Sequence, residues 1–198
     1  MSLAIGFLLD DIRNTYLSLV RTRISDACNS QRRVIVEPSL RNSSGELVCE
    51  GHFDLPMRVD MYFLNSDSIG NSAHVDSPLL PEFAPFPVHW NSQMTVTIAP
   101  FCWDSCDFLL RKSISQDDVK EIVAWFMDCF DPDDLNSADE DGLQGVVHFL
   151  SDPEISESST FFQIDFGSAS IDAFTRLLDI ISSLGVSEVS VGQVNFLS

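Results

Sequence analysis

Three segments of the chain repeat apolar residues at the three- and four-residue spacing of an amphipathic helix. The first begins near Ile5, the second follows Ser115, and the third follows Ser170 and ends before Gly185. Ser115 suits an N-cap, with Asp118 placed to complete a capping box, and Gly185 occupies the position of a left-handed C-cap. The pattern therefore predicts three helices.

Alternating apolar and polar residues, typical of strands with one exposed face, occupy the segments between these helices. Residues 46–55, 57–63 and 93–99 show this pattern, and we expect further strands at 33–38, 144–150, 160–166 and 187–192. Because only Pro56 separates the first two segments, a turn near Asp54–Met57 and an antiparallel pair are predicted. The proline-rich stretch 65–91 is predicted to be the longest loop, packed down by its apolar residues.

Together these elements predict an α+β fold. We expect a mixed, largely antiparallel sheet, three amphipathic helices packed mainly on one face, and a C-terminal β-α-β unit over residues 160–192. The sequence leaves open whether strands 160–166 and 187–192 adjoin. A single domain over residues 1–198 is the simplest organisation, with a subdivision near residue 110 as the alternative.

The composition narrows the class of protein. The chain has 11 Lys and Arg against 30 Asp and Glu, a net charge of −19 that repels nucleic acid and anionic membranes. An apolar content of 44% is too high for a disordered chain. No stretch approaches the ~20 apolar residues of a membrane span. Residues 1–12 lack the basic residues of a secretory signal, and the five scattered cysteines suit reduced thiols. We therefore expect a cytoplasmic protein.

Negative charge is concentrated in residues 115–157, the acidic segment, which holds thirteen carboxylates and one lysine. Residues 1–41 hold six arginines against four carboxylates. A local patch of this kind favours docking of a basic partner protein, although a solvated loop that maintains solubility has the same composition. The candidate partner-binding residues are Asp131, Asp133, Asp134, Asp139, Glu140 and Asp141.

Motifs for metals, cofactors and nucleophiles are incomplete. With Gly142 at the sixth position of an EF-hand loop, His148 falls where the bidentate Glu is required. Cys102 and Cys106 are four residues apart and have no second cysteine pair to complete a zinc site. Ser168 follows Gly167 directly, without a nucleophile elbow, and suits a helix cap. We predict no metal and no cofactor.

A polar strand face offers an alternative site. If strands 46–55 and 57–63 pair, one face carries the residues Glu50, His52, Asp54, Arg58 and Asp60. Such a face can host acid–base chemistry or a ligand if the side chains converge in a pocket, and is otherwise the ordinary wet side of a sheet.

These observations lead to one principal functional hypothesis and two alternatives. The principal one is a non-catalytic interaction module whose acidic segment docks a basic protein; neutralisation of a basic toxin or nuclease, as bacterial immunity and inhibitor proteins do, is its sharpest form. The first alternative is a small enzyme or ligand-binding domain that uses the face around His52. The second is a domain that recognises a peptide on an open sheet edge.

Overall fold

Buried apolar side chains from helices and strands form one hydrophobic cluster in the computed structural model, which describes residues 3–65 and 68–196. Within that range the helices are α1 (Leu3–Asn29), α2 (Gln116–Phe130) and α3 (Ile171–Ser183), with a final 3₁₀ turn at Val194–Phe196. The strands are β1 (Arg33–Val36), β2 (Cys49–Glu50), β3 (Leu55–Pro56), β4 (Met61–Asn65), β5 (Ser68–Ala73), β6 (Phe86–His89), β7 (Thr95–Ile98), β8 (Cys106–Leu110), β9 (Phe149–Leu150), β10 (Glu154–Ile155), β11 (Thr160–Asp165) and β12 (Glu188–Gly192).

The three predicted helices are confirmed. Ser115 caps α2: its hydroxyl accepts the N–H of Asp118 at 3.1 Å, and the Asp118 carboxylate accepts the N–H of Ser115 at 2.9 Å. Helix α3 follows Ser170, and Gly185 takes a left-handed φ of 72° just beyond its end. Helix α1 continues past its predicted apolar repeat and buries Ile24 in its last turns.

The main sheet gives the α+β fold that the sequence predicted. Its strand order in the described residues is β10-β11-β8-β12-β7-β6, with β9 beside β11, and among its pairs only β12 and β7 run parallel. The helices cover one face, where Phe174 of α3 lies 5.8 Å from Phe108 of β8 between ring centroids. Helix α3 contacts both α1 and α2, and α1 also contacts β1.

Strands β11 and β12 flank β8 and do not adjoin. Because β8 is antiparallel to both, β11 and β12 run in the same direction. The C-terminal β-α-β unit is therefore split by an intervening strand, which answers the question that the sequence left open. No helix among the described residues is long and apolar enough to cross a membrane.

The predicted pairing of 46–55 with 57–63 is wrong. Only β2 and β3 form in that region, as a short antiparallel hairpin whose turn spans 51–54. The carboxylate of Asp152 accepts the N–H groups of His52 and Phe53 and so holds this turn. Gly51 and Asp54 supply left-handed φ values of 81° and 50°. Strand β4 pairs instead with β1 and β5, in a separate three-stranded sheet.

Several strands lie outside the predicted pattern. The stretch 65–91 contains β5 and β6, although it was expected to be a loop, and β8 and β10 were not predicted. In the predicted strand 144–150 only β9 is extended. Strand β5 is built largely from Ser, Gly and Asn and carries no apolar alternation. Strand β6 contains Pro87, which an edge strand tolerates because one of its sides forms no hydrogen bonds with another strand. Of these segments only β8 pairs with strands distant in sequence, β11 and β12, whereas β5, β6 and β10 each pair with a strand that is adjacent in sequence.

The α2 cap gives a first prediction. Ser115→Ala should lower the free energy of unfolding by about 1 kcal/mol, because the Asp118 N–H loses its acceptor. Urea unfolding followed by circular dichroism measures the change, with Ser113→Ala, two residues earlier on the exposed approach to the helix, as the control. Equal losses in the two variants would contradict the capping role.

Candidate functional site

The acidic segment divides into carboxylates that bind within the fold and carboxylates that face outward. Asp131 is buried, adopts a left-handed φ of 54° at the C-cap of α2, and accepts the N–H of Asn136 at 2.8 Å. Asp134 lies 2.7 Å from a guanidinium nitrogen of Arg58 and 3.6 Å from one of Arg41. Both carboxylates therefore hold the chain that follows α2.

A second pair of carboxylates ties the same loop to α1. Arg21 contacts Asp141 at 2.9 Å and Asp139 at 3.3 Å. Asp139 also accepts the N–H groups of Asp141 and Leu143, each at 2.9 Å. Burial opposes ionisation of Asp139, but these N–H donors and Arg21 outweigh it and lower its pKa. We call the four internally bound groups, Asp131, Asp134, Asp139 and Asp141, the inner carboxylates.

Other carboxylates of the acidic segment face solvent along α2 and the loop after it. Asp117 is 88% exposed and pairs only with the neighbouring Lys120, at 2.7 Å. Glu121, Asp133 and Glu140 are exposed, and their side chains make no hydrogen bond or ion pair with another described residue. We call these four groups, Asp117, Glu121, Asp133 and Glu140, the outer carboxylates.

Arg58 is a fully buried cation that contacts the end of α2 within the acidic segment. Its Nε donates to the carbonyl of Phe130 at 2.8 Å, and its Nη2 donates to the carbonyl of Asp131 at 2.6 Å. Its Nη1 donates to the carbonyl of Glu37 at 2.6 Å, and its guanidinium lies 4.7 Å from the Phe130 ring centroid. Arg58 thus satisfies the last carbonyls of α2, which have no partner within the helix.

The alternative face around His52 is not assembled. Glu50, His52 and Asp54 are exposed on the β2–β3 hairpin, whereas Arg58 and Asp60 are 1% and 2% exposed. The two buried groups hydrogen-bond to partners other than the three exposed ones. The structure therefore does not bring the five side chains to one pocket, because the strand pairing that would align them does not form.

A buried charge network centres on His148, near the end of the acidic segment. Its Nε2 lies 2.8 Å from Glu37, and its Nδ1 lies 3.4 Å from Asp60 and 3.7 Å from Asp165. Burial lowers the pKa of His148, but the surrounding carboxylates, Asp165 first, outweigh it and raise the pKa from 6.5 to about 9. His148 therefore carries its proton at neutral pH.

The carboxylates around His148 are held by backbone donors. Glu37 accepts the N–H of Gln144 at 2.6 Å and that of Ser168 at 3.1 Å. Burial opposes its ionisation, but His148 and these donors lower its pKa. Burial raises the pKa of Asp165 to about 7. Asp60 accepts the hydroxyl of the buried Tyr16.

The network is closed to a substrate. The side chains of His148 and Glu37 are each 1% exposed, and only that of Asp165, at 16%, has appreciable contact with solvent. A Cβ at Gly167 would overlap the His148 imidazole, so the chain packs against the ring without space for a ligand. The arrangement joins β1, β4, β11 and α1 rather than forming an active-site cleft.

Sequence reasoning missed this network. His148 lies in an apolar run that was predicted to be a strand. From the sequence alone it was considered only as the residue that occupies the position of the bidentate Glu in an EF-hand loop. The available signal was the apolar run itself, because a histidine buried among apolar residues needs a polar or charged partner.

Metal and thiol chemistry find no support in the described residues, where no group of three or more His, Cys, Asp and Glu side chains is arranged to hold a metal. Cys102 and Cys106 are both buried free thiols, and burial raises the pKa of each. Comparison of the chain with family models, curated proteins and solved structures found no match.

The network predicts a loss of stability as pH rises. Folding raises the pKa of His148 from 6.5 to about 9, so its contribution is complete below pH 6.5 and disappears as pH approaches 9. Folding also raises the pKa of Asp165, from 3.8 to about 7. Its contribution to stability is therefore also lost as pH rises, but between pH 3.8 and about 7. The contribution of His148 to the free energy of unfolding amounts to about 3 kcal/mol.

Urea unfolding at intervals from pH 6.5 to 9 tests this prediction, and His148→Gln should remove most of the slope because Gln does not titrate. The exposed His52→Gln variant is the control and should keep the slope of the parent protein. A parent protein with constant stability over this range would contradict the assignment.

Proposed function

We propose that this protein is a non-catalytic interaction module whose outer carboxylates dock a basic partner protein. The observation that carries the proposal is the distribution of charge along α2 and its following loop. The four outer carboxylates lie there, three of them without an ion pair to another described residue, and Lys120 is the single lysine or arginine in residues 115–157. Uncompensated charge of one sign steers an oppositely charged protein toward the surface and favours its correct orientation.

The anchoring of the loop strengthens this proposal. Arg58 and Arg21 bind three of the inner carboxylates, which lie between and beside the outer ones in the sequence. The outer carboxylates Asp133 and Glu140 therefore project from a braced loop, and less conformational entropy is lost when a partner binds.

In its sharper form, the protein is an inhibitor of a basic toxin or nuclease in the cytoplasm, in the manner of bacterial immunity proteins. The net charge of −19 and the five free cysteines are consistent with this form. The enzyme alternative has less support, since the face around His52 is not assembled and the His148 network is closed.

Affinity capture with charge-matched variants tests the proposal. One variant replaces the outer carboxylates with Asn or Gln. The control replaces the same number of exposed carboxylates elsewhere and has the same net charge; these are Asp10, Asp76, Glu82 and Glu188. We expect the parent protein and the control to retain a basic protein from the source cell's lysate, and the outer variant to lose it.

The captured protein is then purified and titrated at increasing salt. Its dissociation constant should rise about tenfold or more between about 50 mM and about 300 mM salt, because screening weakens the attraction. Retention by all three proteins, loss in both variants alike, or an affinity independent of salt would each contradict docking through the outer carboxylates.

A further inference from the structure

A cavity of about 410 Å³ opens between the C-terminal half of α1 and strands β4 and β5. Its floor and walls include the apolar side chains of Ala27, Met61, Phe63 and Val75, of which all but Phe63 are buried. Arg23, Arg32, His74 and Asp26 line the same cavity. The cavity therefore combines an apolar interior with cationic groups.

The arginines of this cavity are not neutralised by the acidic chain around them. Neither Arg23 nor Arg32 lies within 4.0 Å of a carboxylate oxygen of another described residue. Arg32 is instead positioned over Phe63, with its guanidinium 5.7 Å from the ring centroid. Asp26 is the one carboxylate that lines the cavity, so two arginines face a single acid.

His74 adds a third nitrogen donor to the cavity. Its Nδ1 lies 3.9 Å from Asp60, which belongs to the buried charge network, and its side chain is 58% exposed. A ligand that reaches His74 would therefore lie one residue away from that network. The three groups come from α1, from the chain after it and from the end of β5, so the fold, and not a run of basic sequence, brings them together.

Local charge decides what this cavity attracts. At physiological ionic strength, screening over about 8 Å isolates the cavity from most of the distant acidic surface. Guanidinium groups hold carboxylate, sulfonate and phosphate oxygens with paired hydrogen bonds, and the apolar floor favours a ligand with a hydrocarbon body.

From this combination, we propose that the cavity binds a small organic anion with an aromatic or aliphatic body. The anionic group binds Arg23 and Arg32, and the apolar body packs against Phe63 and Met61. This site is separate from the outer carboxylates and does not depend on their function.

Two probes with the same ring system separate the charged and apolar contributions. The first is 8-anilinonaphthalene-1-sulfonate, and the second is N-phenyl-1-naphthylamine, which lacks the sulfonate. Fluorescence titration of the full chain should give one site for the sulfonate. The uncharged probe should bind at least about tenfold more weakly, a difference of about 1.4 kcal/mol.

Variants of equal charge locate the site. The double variant Arg23→Gln, Arg32→Gln should weaken binding of the sulfonate at least about tenfold. The control, Arg33→Gln with Arg111→Gln, removes two exposed arginines that do not line the cavity and should bind like the parent. Urea midpoints must agree among the three proteins, so that probe fluorescence reports folded protein.

Three outcomes would overturn the proposal. The first is equal affinity of the cavity variant and the control for the sulfonate. The second is equal affinity of the parent for the two probes, which would indicate an apolar site only. The third is no binding of the sulfonate to the parent up to about 1 mM, where the binding free energy would be weaker than about −4 kcal/mol. If the cavity variant unfolds more easily, the single variants Arg23→Gln and Arg32→Gln each replace it and should each weaken binding.

Discussion

The burial of one arginine, Arg58, constrains the part of the acidic segment where α2 ends and the following loop begins. A guanidinium without solvent is stable only where acceptors surround it, and Arg58 finds them in the carbonyls of Phe130, Asp131 and Glu37. These groups come from the end of α2, from its C-cap and from the chain after β1. Placement of Arg58 therefore fixes the end of α2 relative to the three-stranded sheet of β1, β4 and β5. The position of the loop after α2 follows from this contact.

The acidic segment acts in two ways because of this constraint. Among its inner carboxylates, Asp134 pairs with Arg58, and Asp139 and Asp141 pair with Arg21. The fourth, Asp131, accepts a backbone N–H, so all four are part of the fold. Three of its outer carboxylates make no ion pair with another described residue, and Asp117 pairs only with the neighbouring Lys120, so most of their mutual repulsion is retained. The proposed basic partner would supply the missing positive charge. Formal charge counted along the sequence therefore overstates the charge that is left for the proposed docking, because the inner carboxylates are bound within the fold.

Local signals in the sequence were sufficient for some elements and not for others. Ser115 and Asp118 lie three residues apart, so the α2 cap followed from the sequence alone. Arg58 and Asp60 were assigned to a wet strand face, because alternation cannot distinguish a solvated charge from a buried one with partners far along the chain. The contact of His148 with Glu37 spans 111 residues, and no local pattern records it. The split β-α-β unit likewise depends on β8, which is more than forty residues from β11.

The division between inner and outer carboxylates is the central claim, and equilibrium unfolding in urea tests it without any partner. Two variants are compared, one with the four inner carboxylates replaced by Ala and one with the four outer carboxylates replaced by Ala, so that both change the net charge equally. The inner variant should lose at least about 3 kcal/mol of unfolding free energy, and the outer variant should stay within about 1 kcal/mol of the parent. Equal losses, or a larger loss in the outer variant, would contradict the account.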